Sequence, residues 1–115
     1  MKPENAAKAK LRKKVREYFG SDIWIYTTQD AKSGIPDWLV CYKGLFIAIE
    51  FKGDSELRPL QKRNLAMTTR AGGSSIMWNT DGQDILDGLI KYIRHQYHYH
   101  KYAIEKEVDK WPSDG

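Results

Sequence analysis

Between Gly34 and Lys52, two runs rich in aromatic and β-branched residues flank the dipeptide Lys43-Gly44: Trp38 to Tyr42 and Leu45 to Phe51. Such runs read as strands. A two-residue connection ending in glycine reads as a tight hairpin, because the favoured turns need positive φ and glycine takes it without steric cost. A hairpin of that length fixes its own register: Tyr42 faces Leu45, Trp38 faces Ile49, and Asp37 faces Glu50. Directly opposed residues hold their Cβ atoms about 4.5–5.5 Å apart. Side chains alternate faces along a strand, so Lys52 points the same way as Glu50.

Two carboxylates placed opposite one another repel. Their neighbours on that face, Leu39, Cys41, Phe46 and Ala48, are apolar. A divalent cation would resolve the conflict, and hard carboxylate oxygens suit Mg²⁺ or Mn²⁺, ions that keep several of their waters. The plainer reading is a solvated strand end at which Lys52 neutralises Glu50.

A chain of 115 residues is expected to form one domain, here with a core over about 4–95 and a C-terminal extension over 96–115. The single cysteine, Cys41, excludes an internal disulfide and a cysteine-rich zinc site. A basic N-terminus without an apolar stretch argues against a secretory signal, and no apolar run approaches membrane-spanning length. A cytoplasmic location is therefore expected. The net charge of +4 is uneven. Residues 1–20 carry seven bases against Glu4 and Glu17, or +5, which leaves −1 for the rest. A basic face this concentrated suggests contact with phosphates, and Lys10, Lys13 and Lys14 are its candidates. The alternative is a solvated helix face.

Residues 4–19 favour helix, with Leu11, Val15, Tyr18 and Phe19 spaced as a buried stripe. Ile23 to Thr28 reads as a strand. The polar loop from Gln29 to Ile35 leads to Asp37, which puts Lys32, Ser33 and Gly34 at the rim of the carboxylate pair. Gly34 suits either a close backbone approach to phosphate or an ordinary turn. After a loop at Gly53-Asp54-Ser55, Arg58-Pro59 opens a helix. Gln61 falls within that helix's apolar arc and needs partners. Ser75 to Asn79 reads as a fourth strand. A turn at Asp81-Gly82 precedes a last amphipathic helix through Ile85, Leu86, Leu89, Ile90 and Ile93. His95, His98 and His100 lack the i, i+4 spacing and companion acids of a zinc site. Ile104, Val108 and Trp111 form a weaker stripe that suits a longer helix or a partner. The expected fold is α/β in the order α-β-β-β-α-β-α: an antiparallel meander plus a parallel fourth strand in a mixed sheet flanked by helices.

Pro36-Asp37 followed by Glu50-Phe51-Lys52 resembles the signature of the PD-(D/E)xK nucleases. Gly34-x-Pro36-Asp37, Glu50-x-Lys52-Gly53, Gln61 opening the next helix, and Gly72-Gly73 before a strand resemble the VRR-NUC family within it. The resemblance covers roughly residues 15–93. It implies a restriction-endonuclease-like core and a Mg²⁺ (or Mn²⁺) site formed by Asp37, Glu50 and the Phe51 carbonyl. It also implies catalytic roles for Lys52, which would orient water or neutralise the oxyanion, and for Gln61. An acid on the first helix supports the metal in that family, and Glu17 is the candidate. An ion pair with Lys13 is the alternative for Glu17.

The function expected from this is metal-dependent endonuclease activity on DNA, structure-selective for branched forms such as four-way junctions, by a stand-alone domain. Two cuts on opposing strands suit a twofold homodimer. Tyr97, Tyr99, Tyr102 and Trp111, with Ile104 and Val108, offer interface material. The alternatives are a nuclease-like fold that only binds nucleic acid, and a protein-interaction module using the Ile104–Trp111 stripe.

Overall fold

The computed structural model describes residues 3–28, 34–52, 56–79 and 85–108. Lys32, Ser33, the Gly53-Asp54-Ser55 loop, the Asp81-Gly82 turn and Trp111 lie outside the described residues.

The hairpin is the centre of the molecule. Strand β2 (Trp38–Tyr42) pairs antiparallel with β3 (Leu45–Lys52), with Tyr42 opposite Leu45 and Trp38 opposite Ile49. Lys43 (φ 49°) and Gly44 (φ 90°) both take positive φ, the combination of the hairpin turn whose twist matches the strands. The Lys43 ammonium sits over Tyr42 and Tyr97, 5.4 and 5.3 Å from their ring centroids. Attraction to two ring faces offsets the steric cost of a left-handed non-glycine residue.

Strand β1 (Ile23–Thr27) pairs antiparallel with β2, and β4 (Ser74–Asn79) pairs parallel with β3, giving the sheet order β1-β2-β3-β4. Helix α1 (Pro3–Phe19) precedes the sheet, with a short 3-10 turn at Gly20–Asp22 between it and β1. Helix α2 (Pro59–Arg70) supplies the crossover that a parallel pair requires. Helix α3 (Ile85–Val108) closes the described chain. The chain is thus α/β with a mixed four-stranded sheet flanked by helices, as the periodicities imply.

One sheet face forms the core. Ile23, Ile25, Trp38, Val40, Tyr42, Leu45, Ile47, Ile49 and Phe51 are buried there, with Val15 from α1 and Leu89 and Ile93 from α3. Trp38 meets Phe51 edge to face at 4.9 Å, a geometry worth about 0.5–1.5 kcal/mol beyond area burial. Helix α2 lies on the opposite face, where the Ser75 hydroxyl donates to the Leu65 carbonyl at 2.8 Å. β3 is therefore covered on both sides over much of its length, and Ile47 to Phe51 are all buried.

The α1 stripe is narrower than its spacing predicts. Val15 is fully buried, but Tyr18 is exposed and its hydroxyl accepts from Arg94 at 3.3 Å. Helix α3 continues unbroken past residue 95. Tyr97 packs against Tyr42 at 5.3 Å and belongs to the core rather than to a free surface, whereas Tyr99, Tyr102 and Ile104 are exposed. No helix among the described residues is long and apolar enough to cross a membrane.

Gly34 has φ +73° and is buried, and its carbonyl accepts from Asn64 of α2 at 2.9 Å. A Cβ there would meet the Leu60 side chain at 2.7 Å. The glycine is required by packing of the loop on α2, a reason different from an open approach to phosphate. Gly34→Ala should destabilise the fold by about 2–4 kcal/mol, from left-handed strain plus overpacking. Urea unfolding measures this, and a loss under about 0.5 kcal/mol would contradict the close packing.

Candidate active site at the open end of the hairpin

Where β2 begins and β3 ends, backbone and side chains interlock. The Asp37 amide donates to Glu50 Oε2 at 3.2 Å, and the Phe51 amide donates to Asp37 Oδ2 at 2.9 Å. Each acid is thus held by the other strand's end. The Asp37 carbonyl accepts from the Thr28 amide at 2.9 Å, and the Thr28 hydroxyl donates to the Pro36 carbonyl at 2.7 Å. These bonds tie the segment before β2 to the continuation of β1. The opposition of Asp37 and Glu50 follows from the two-residue turn, whose register carries past the last paired residues.

Gln61 opens α2 with both ends of its amide engaged. Its Oε1 accepts from the Arg58 backbone amide at 2.8 Å and so caps the helix, while its Nε2 donates to Glu50 Oε1 at 3.1 Å. It is buried, as its place in the apolar arc requires. Lys52 Nζ stands 4.0 Å from Glu50 Oε1. Asp37, Glu50, the Phe51 backbone, Lys52 and Gln61 therefore converge.

Lys8 joins them, although the sequence reading omitted it. Its Nζ is 3.4 Å from Asp37 Oδ2 and 5.8 Å from the centroid of the Phe51 ring. A signal was available: Lys8 lies three residues before Leu11 and seven before Val15, on the helix's buried stripe. A lysine there needs an acid or a ring at its tip.

The structure does not bring Glu17 to this group. Helix α1 runs antiparallel to β1, with Lys8 at Asp37, Arg12 on the Thr27 hydroxyl at 3.0 Å and Arg16 on the Ile25 carbonyl at 2.8 Å. Glu17 is nine residues beyond Lys8, about 13 Å further along the helix axis. It lines an open groove of about 480 Å³ with Ala9, Arg12, Lys13 and Arg16. Lys10, Lys13 and Lys14 are exposed on α1 and do not join the cluster either.

No model of a known protein family, no curated protein and no solved structure matches this chain.

The chemistry of the group therefore rests on its own electrostatics. Glu50 is only 4% exposed. Burial pushes its carboxyl pKa above the ordinary 4.5, and the Asp37 charge pushes it further; Lys52, the Asp37 amide and Lys8 pull it back. A group whose folded pKa is raised contributes fully to stability below its unfolded pKa, about 4.5 here. That contribution is lost as pH climbs through the folded value, so ionised Glu50 opposes folding at neutral pH. The Glu50 carboxyl resonance should titrate above 4.5. The midpoint should fall in Asp37→Asn and fall again in wild type with Mg²⁺. A midpoint at or below 4.5, or one indifferent to Asp37→Asn, would contradict this picture.

Among the described residues, no three or more His, Cys, Asp and Glu side chains gather as a metal-binding group. The acids are two, with Lys8 and Lys52 beside them, so repulsion between the carboxylates is met in part by these lysines. The donor set still fits an ion that takes few protein oxygens and retains water. In a strand, a residue's N–H and C=O leave towards the same neighbour. The Phe51 carbonyl therefore lies on the side where its amide reaches Asp37.

Proposed function

We propose that this chain is a metal-dependent DNA endonuclease of the PD-(D/E)xK class, similar to stand-alone VRR-NUC proteins, with a restriction-endonuclease-like core. The observation that carries the reading is the convergence of Asp37, Glu50 and Lys52 at one strand end, with Gln61 bonded to Glu50. Asp37, Glu50 and the Phe51 carbonyl would hold Mg²⁺ or Mn²⁺, which when bound lowers the pKa of a water and stabilises charge on the scissile phosphate. Gln61 holds Glu50 in its rotamer. Lys52 orients the attacking water or neutralises the developing oxyanion. Lys8, on a flexible stem and part-exposed beside Asp37, would be free to contact phosphate if that carboxylate held the ion. Glu17, some distance along α1, is left to the basic groove.

Branched DNA, four-way junctions included, is the proposed substrate, and a twofold homodimer the proposed assembly, since paired cuts need paired sites. The exposed Tyr99, Tyr102 and Ile104 on α3 support the assembly. The basic α1, with Lys10, Lys13 and Lys14 exposed, supports DNA contact. A cytoplasmic location accords with this role.

A second reading, a non-catalytic DNA-binding module, is favoured by one observation: Lys8 and Lys52 stand 3.4 and 4.0 Å from the two acids and meet part of their repulsion. Cleavage of linear, flapped and four-way DNA with Mg²⁺ and with EDTA separates the two. The nuclease cuts only with Mg²⁺ and prefers the junction; a binder leaves every substrate intact while binding it equally in EDTA. Sedimentation of the protein alone tests the dimer.

A further inference from the structure

The second face of the sheet is covered only in part. Helix α2 lies over β3 and β4, and among the described residues no helix covers the β1–β2 half. On that half Trp24 (58% exposed) and Tyr26 (54%) stand on β1, with part-buried Leu39 and Cys41 beside them on β2. The two rings are almost parallel, 14° apart, with centroids 6.0 Å apart. Large aromatics on an open sheet face are costly to expose unless something covers them.

Their position indicates what that is. Tyr26 is opposite Leu39, two residues from Asp37, and Trp24 is two residues further along β1 on the same face. Alternation along the strand puts the rings in a row that leads away from the carboxylate pair. Helix α1 runs along the edge strand β1 from the core side, with Arg12 on the Thr27 hydroxyl and Arg16 on the Ile25 carbonyl, and it carries the exposed Lys10, Lys13 and Lys14. A stacked, solvent-exposed aromatic pair on an edge strand, beside a basic helix and next to the candidate carboxylate site, has the two features of a single-strand platform: an exposed π-face for a base and cations nearby for the backbone.

We propose that Trp24 and Tyr26 form a stacking platform for unpaired nucleobases of single-stranded DNA next to the scissile phosphate. The proposal rests on the nuclease reading for its choice of ligand, but its test does not depend on cleavage. Paired bases inside a duplex cannot offer their faces, so the platform selects strands that are unpaired close to the cut, such as flaps and junction arms that have opened.

Binding of a fluorescent oligothymidine and of a matched duplex is measured in EDTA for wild type, Trp24→Leu, Tyr26→Leu and Trp24→Phe. Leucine keeps an apolar side chain on the strand and removes the ring. Each leucine variant should lose about tenfold in single-strand affinity, the scale of one stacked base. Duplex affinity should stay within about twofold, and Trp24→Phe should retain most of the single-strand binding. In wild type the oligothymidine should quench tryptophan fluorescence, a readout that needs no variant to fold. Equal loss on both DNAs, no loss on either, or absence of quenching overturns the platform. So does a wild-type dimer that Trp24→Leu converts to monomer, because the face is then covered by a second copy. If Mg²⁺-dependent cleavage is absent while the single-strand selectivity holds, the nuclease reading fails and the platform stands.

Discussion

Asp37→Asn is expected to abolish Mg²⁺-dependent DNA cleavage while leaving the chain folded and at least as stable without metal. Asparagine keeps an oxygen to accept the Phe51 amide, now held at 2.9 Å, and loses only the charge. The partly exposed ion pair with Lys8 that goes with it is worth about 0–1 kcal/mol. Against that, the buried Glu50 is relieved of the neighbouring charge that raises its pKa. Glu50→Gln should also abolish cleavage; it removes a buried charge that opposes folding, but it removes an acceptor as well. Glu50 accepts from the Asp37 amide with one oxygen and from Gln61 with the other. A glutamine offers one acceptor to two donors, and a buried donor left unpaired costs about 1–3 kcal/mol. Thermal melting beside a cleavage assay reads both effects. Near wild-type cutting by either variant would remove the pair from the chemistry.

Lys52→Met is the second large effect. Lys52 is 18% exposed at its side chain and stands 4.0 Å from Glu50, on the strand face that carries the acid. Methionine preserves the stem's length and packing and deletes the ammonium. Cleavage should fall about 10²-fold or more, the scale of losing one group that stabilises transition-state charge. Binding of DNA in EDTA should be unchanged. If binding and cleavage fall by the same factor, Lys52 is a phosphate contact and takes no part in the chemical step.

The parts of this site that were legible in the sequence are those fixed by local rules. The turn at Lys43-Gly44 sets the register, and the register alone opposes Asp37 to Glu50 and turns Lys52 to their side. Gln61 was legible as a polar residue in an apolar arc. The parts that were not legible depend on how a helix lies on the sheet. Periodicity gives the rotation of α1 about its own axis but not which end meets the site. The resemblance implies an acid from α1 at the site, with Glu17 as its candidate, whereas the antiparallel course of α1 along β1 delivers Lys8. The same gap explains Gly34, whose need for a missing Cβ arises from Leu60, far along the chain. It explains Trp24 and Tyr26 too. Alternation on β1 puts them on one face, but only the placement of α2 over β3 and β4 shows that no helix among the described residues covers it. Helix α3 ran longer than its apolar stripe suggested because Tyr97 and Gln96 anchor the next turns, on Tyr42 and on the Ser74 hydroxyl.

The pairing of Asp37 with Glu50 as a divalent-cation site is tested most directly by titration calorimetry with Mn²⁺ at neutral pH. Wild type should bind the ion saturably, Asp37→Asn and Glu50→Gln should lose that binding, and Lys52→Met should keep it. Wild type that takes up no Mn²⁺, or Asp37→Asn that binds as tightly as wild type, would contradict the assignment.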